Sequence, residues 1–228
     1  MDISVGPPNT GPRWRRRKEA RPAEILTAAL ESFAEHGYES SRLEDIAKRA
    51  GCTKGTIFLY YESKSELFKA VIRDVMLPLL EECETTIRDH QGTSRDLFAK
   101  LLRLRWERAG VSRLSGLAKL LFAETDRYPE LAKFYYDEIH SKNQALLRQV
   151  LEQGIATGEF RKFDTTSVAR IAIAPIVLAG IWKHSFGPVV EQQLDTEEHF
   201  RTTLDILFGG IAAVPVATPV AESSERRN

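Results

Sequence analysis

The chain has 228 residues, 43% hydrophobic and 28% charged, a composition that suits a soluble globular protein with a substantial core. Its 32 Lys and Arg balance 32 Asp and Glu, so the molecule as a whole offers no excess positive charge to draw it to nucleic acid or membranes, although a sum can hide local separation. Two cysteines, Cys52 and Cys83, exclude a disulfide framework and a multi-cysteine zinc site; the 5 histidines show no metal spacing, and neither metal nor cofactor is expected.

Residues 1–12 are rich in Gly, Pro and small polar residues and read as disordered, with no apolar stretch of a secretory signal. The segment Arg13 to Arg21 then carries six basic residues and one acid; residues 1–20 are taken as a disordered basic arm. A first helix follows, with Ile25, Leu26, Ala29, Leu30 and Phe33 on one face and Gly37 as its stop. Ser41 to Glu44 has the form of a capping box, opening a short helix with Leu43, Ile46 and Ala47 inward and Gly51 at its end. Thr53 suits the N-cap of a third helix reaching Tyr60 or Tyr61. Ser63 to Glu66 is a second capping box, starting a long helix through Leu67, Phe68 and Val71 in which Pro78 is a candidate kink.

Helical patterning continues over Ser94–Ala109, Ser112–Thr125, Pro129 to about Gly154, Thr165–Phe186 and Thr196–Ala213. No alternating Val/Ile/Thr-rich segment argues for a strand, so the expected fold is all-α. The longest apolar run, Ile171 to Trp182, falls short of the roughly twenty residues that cross a bilayer and reads as a buried helix. Residues 214–228 read as a disordered tail. A cytoplasmic protein without membrane contact is the expectation.

Residues 42–61 read as a helix-turn-helix. Ala47 is small enough for two helices to cross closely, and Gly51 can take the left-handed conformation that turns the chain. The second helix presents Thr53, Lys54, Gly55 and Thr56 at its N-terminus and Tyr60 beyond. Hydroxyls, an ammonium and bare backbone N–H groups there suit phosphates and base edges in a major groove, and Lys64 adds a positive group beside the next helix.

The run Asp45-Ile46-Ala47, then Ala50 to Leu67 with its core Thr53-Lys54-Gly55-Thr56-Ile57-Phe58-Leu59-Tyr60-Tyr61, resembles the DNA-binding domain of the TetR family of transcriptional regulators over residues 21–68. The resemblance implies that Thr53, Lys54, Gly55 and Thr56 meet DNA through a recognition helix, that Tyr60 and Lys64 contact phosphates, and that Ser41 and Arg42 touch the DNA backbone. Three positions depart from the pattern. Phe58 replaces a usual Tyr and loses a phenol hydrogen bond to DNA, Tyr61 replaces a core Phe, and Arg42 replaces a small hydroxyl residue. The basic arm could reach along the DNA or into its minor groove.

By the same resemblance, residues 21–67 form the DNA reader and 68–213 a helical body that dimerises and holds a small ligand. The helix around Ser167–Phe186 is apolar nearly all round, and Phe200, Leu204, Leu207, Phe208 and Ile211 make a stripe on the last helix, so these two are expected to build a four-helix dimer interface. Trp106, Phe122, Phe134, Tyr135 and Trp182 are candidate walls of an apolar ligand cavity, with Glu124, His140 and Asn143 as possible polar anchors. No phosphate-binding loop, nucleophile elbow or metalloprotease motif is present, so an enzyme is not expected. The expected function is a homodimeric repressor on a pseudo-palindromic double-stranded operator, released by an unidentified apolar or amphipathic effector. The competing expectation is a constitutive DNA-binding regulator whose body only dimerises.

Overall fold

The computed structural model describes residues 13–110, 115–124, 126–191 and 193–213; the expected N-terminal segment 1–12 and the tail 214–228 lie outside them. Among the described residues the regular structure is helical, apart from one isolated bridge between Phe160 and Ala212. The helices are α1 (Arg13–Ser40), α2 (Leu43–Arg49), α3 (Lys54–Phe58), α4 (Lys64–Asp89), α5 (Ser94–Arg105), α6 (Gly116–Glu124), α7 (Pro129–Tyr135), α8 (Ser141–Ala156), α9 (Thr165–Ser185) and α10 (Thr196–Ile211).

Several sequence signals act where they were read. Thr53 caps α3, its hydroxyl accepting from the Thr56 N–H at 3.2 Å, and Ser63 caps α4 by accepting from the Glu66 N–H at 3.1 Å. Gly51 turns the chain at φ 62°, and Gly37 breaks α1 at φ 81°. Pro78 lies inside an unbroken α4.

Other boundaries differ. The basic arm is not disordered beyond Arg13: α1 already begins there, since Arg, Lys, Glu and Ala are all good helix formers. The Ser41 capping box does not form. Arg42 is the N-cap of α2 and its side chain makes no capping bond, because the Ser41 hydroxyl turns back into α1 and donates to the carbonyls of Ser32 and Gly37. The helix expected over 129–154 is α7 and α8 joined by a wider π turn, Tyr136–His140, and α5 ends in a similar turn, Trp106–Gly110.

Two apolar cores result. The first gathers Ile25, Phe33, Tyr38, Ile46, Ile57, Leu67 and Phe68 around α1–α4, with Leu121, Leu131 and Phe134 from α6 and α7 packed on the same cluster. The second gathers Phe98, Leu101, Trp106, Leu151, Ala172, Phe200 and Phe208 in the C-terminal body. Helix α9 packs one face on this body but is not buried on most sides as expected. Ile171 and Leu178 are 61% and 53% exposed, and Ile206 of α10 is 71% exposed. By length and composition alone α9 would span a bilayer, with 28% of its apolar window buried.

Candidate nucleic-acid interface and ligand cavity

Helices α2 and α3 are held against α1 by charge as well as by core packing. Arg49 at the end of α2 pairs with Glu35 at 2.6 Å and reaches Glu31 at 3.7 Å, and this pairing holds the Glu35 carboxyl below its ordinary range. Arg21, counted with the basic arm from sequence, donates to the carbonyls of Ala50 at 3.0 Å and Gly51 at 3.3 Å while pairing with Glu24 at 2.8 Å. A cation on the free carbonyls at the end of α2 suits the negative end of its dipole. Sequence reading missed this role because donor and acceptor lie about thirty residues apart, beyond any local pattern.

On the outer side, Thr53, Lys54, Gly55 and Phe58 are exposed, Thr56 and Tyr60 half-buried. The Thr53 and Thr56 hydroxyls lie 3.0 Å apart, and Lys54 pairs with Glu44 at 2.7 Å with its ammonium 5.7 Å from the centre of the Phe58 ring. These residues form one surface at the N-terminus of α3, with Arg42 exposed at the start of α2. Two expected contacts are placed otherwise. Ser41 is buried. Lys64 donates to the carbonyls of Tyr38 and Glu39, both at 3.0 Å, and of Ser41 at 3.4 Å, with its ammonium 4.6 Å from the Tyr38 ring centre. It fastens the start of α4 to the end of α1.

A cavity of about 340 Å³ opens in the body between α4, α5, α8 and α9. Its wall is mainly aliphatic, with Leu30 of α1, Val75, Met76 and Leu79 of α4, Leu121 of α6, and Ile173, Ile176 and Val177 of α9. Of the five aromatics expected there, Tyr135 lines it, and burial raises its phenol pKa. Trp106 is fully buried against Phe200, ring centres 5.2 Å apart, and Phe134 lies under Arg73 at 4.7 Å. Phe122 is 65% exposed on α6, and Trp182 packs at a tilt on Phe186 on the open side of α9.

Among the polar anchors considered, Asn143 lines the cavity. Glu124 instead accepts from the backbone N–H of Tyr38 at 3.1 Å, which joins the end of α6 to the end of α1. Arg105, also on the wall, escaped the sequence reading. The signal was present: it continues the inward stripe of Ser94, Leu97, Phe98, Leu101 and Leu102 on α5.

An exposed short helix on a three-helix base, joined to a helical body with its own cavity, is the build of a DNA-binding transcriptional regulator. Residues 25–71 match the family model described as bacterial regulatory proteins, tetR family. Over that segment the chain carries a DNA-binding domain like those of the TetR family. It is similar to the fatty acid metabolism regulator protein of Bacillus subtilis, 26% identical over 202 residues, 86% of this chain and 98% of that protein. It is also similar to the HTH-type transcriptional repressor KstR2 of Mycolicibacterium smegmatis, 25% identical over 194 residues, 84% of this chain and 91% of that one. In fold it resembles the crystal structure of the Bacillus subtilis transcriptional regulator FadR in complex with stearoyl-CoA, with a TM-score of 0.67 and 23% identity, covering 83% of this chain and 98% of that one.

Proposed function

We propose that the protein is a homodimeric transcriptional repressor, bound to a pseudo-palindromic operator and released by a small apolar or amphipathic effector held in the aliphatic cavity. The observation that carries this reading is the route from cavity to DNA reader. Leu121 of α6 lines the cavity, and Glu124, less than one turn later, bonds the Tyr38 N–H. Tyr38 in turn sits under Lys64, which ties α1 to α4. Displacement of α6 by an occupant therefore pulls on the base of the helix-turn-helix. A full reversal of a 1:99 population needs about 5.5 kcal/mol of preference for the released state.

Arg42, Thr53, Lys54, Gly55, Thr56, Phe58 and Tyr60 form the DNA surface of this reading, with Ser41 and Lys64 supporting it from beneath. In the dimer the two recognition helices enter successive major grooves about 34–36 Å apart. The names of the relatives favour an effector with a long apolar body, since one regulates fatty acid metabolism and one solved neighbour holds stearoyl-CoA. The test is selection of bound duplex from a random pool, followed by titration of the selected site with acyl compounds. A palindromic site that is released by such a compound is expected. A site whose affinity no compound changes would favour the constitutive regulator, and no selected site would remove the reading altogether.

A further inference from the structure

Arg105 is 3% exposed and sits on the wall of the cavity. Its Nε donates to Asn143 Oδ1 at 2.7 Å and its Nη1 to the Leu101 carbonyl at 3.0 Å, both neutral acceptors. Its Nη2 has no hydrogen-bond partner. The acids on the same wall are Asp74 and Glu82. Both are exposed, Glu82 pairs with Arg108 at 3.2 Å, and neither forms an ion pair with Arg105. Its ionisable neighbour is Cys83, buried on α4 within hydrogen-bonding reach of the guanidinium; burial pushes the thiol up, against the pull of the Arg105 charge. A guanidinium with no counter-charge and one orphaned nitrogen is a costly thing to bury in an aliphatic cavity. Asn143 offers its amide nitrogen as a second donor, because its oxygen is already taken by Arg105.

We propose that Arg105 and Asn143 form an anion-recognition site at the polar end of the cavity, and that the effector is an aliphatic carboxylate whose head group lies on Arg105 Nη2. The proposal rests on the ligand-sensor reading above and narrows it to a charged head on an alkyl body. Carboxylate fits because Nη2 and the Asn143 amide are both donors, and an ionised acceptor is the partner that satisfies a buried guanidinium most strongly. A neutral ester or alcohol of equal length would fill the same aliphatic wall and leave the charge uncompensated.

The experiment is calorimetric titration of the full-length protein with dodecanoate, methyl dodecanoate and dodecanol, each repeated as a competition against bound operator DNA. Dodecanoate is expected to bind about tenfold or more tightly than the ester or the alcohol. Arg105→Met is expected to abolish that preference while keeping ester affinity, and Arg105→Lys to keep part of it. The wild-type comparison of acid with ester needs no variant to fold. Equal binding of acid and ester would overturn the anion site and leave the sensor reading intact. No binding by any of the three would overturn both.

Discussion

Lys54 and Lys64 both carry positive charge near the recognition helix, yet only one of them is turned outward. Lys54 is exposed and held by the exposed Glu44 carboxylate, a pair that salt and DNA phosphates can displace. Lys64 spends its donors on two carbonyls of α1 and that of Ser41 just beyond it. The two therefore separate by measurement. Lys54→Ala is expected to weaken operator binding and to reduce the slope of log affinity against log salt by about one, since each neutralised phosphate contributes about 0.9. Lys64→Ala is expected to lose roughly 1–3 kcal/mol of folding stability in chemical denaturation with the salt slope unchanged. A fallen salt slope with intact stability would return Lys64 to the phosphates. At this scale the sequence was legible wherever donor and acceptor are three residues apart, as at Thr53 and Ser63. It was silent where they are not. Ser41 looked like a cap because its spacing to Glu44 is right, but its hydroxyl is drawn to α1, and no local pattern encodes that choice.

At the scale of elements, the apolar periods placed the helices well and their joints poorly, because a π turn keeps the same stripe of residues inward while shifting its register. The turn at Tyr136–His140 is pinned by Glu138, whose carboxylate accepts from Arg73 Nε and Nη2 of α4 at 2.8 and 2.6 Å. The Arg73 guanidinium holds the Glu138 carboxyl below its ordinary value of 4.5. A carboxylate lowered on folding stabilises the fold above the unfolded value, and that contribution is lost as pH falls through the folded one. Glu138→Gln should therefore lower the melting temperature at pH 7, and its melting curve should converge with that of the wild type as pH drops below 4.5. An undiminished gap in acid would mean that the pair is not the cause. The α8 terminus makes a purely steric case. A Cβ on Gly154 would stand 2.2 Å from the Phe160 ring, so Gly154→Ala is expected to cost about 1–3 kcal/mol, measured by urea unfolding.

For the whole molecule, the fold class was readable because every long segment carries a helical period and none a strand period. What covers each apolar face was not readable, since hydropathy records that a residue avoids water but not which surface shields it. Helix α9 is the clearest instance. Its Ala169, Ala172, Ile176 and Ala179 pack inward, while Ile171 and Leu178 are exposed, as is Ile206 on α10. Large apolar side chains exposed on the two helices of a single chain call for a cover. In the proposed dimer a second copy supplies it, α9 and α10 of each protomer meeting across a two-fold axis. The consequence is testable without disturbing the interior, because Leu178 is exposed in the single chain. Leu178→Asp should leave the melting transition of the isolated fold in place yet shift sedimentation from dimer to monomer. Operator affinity should fall with it, since a lone reader engages one half-site and forfeits the gain from binding both together. If the variant sediments as the wild type does, the bare face of α9 is not the dimer surface, and the spacing of the two recognition helices must be set by another part of the body.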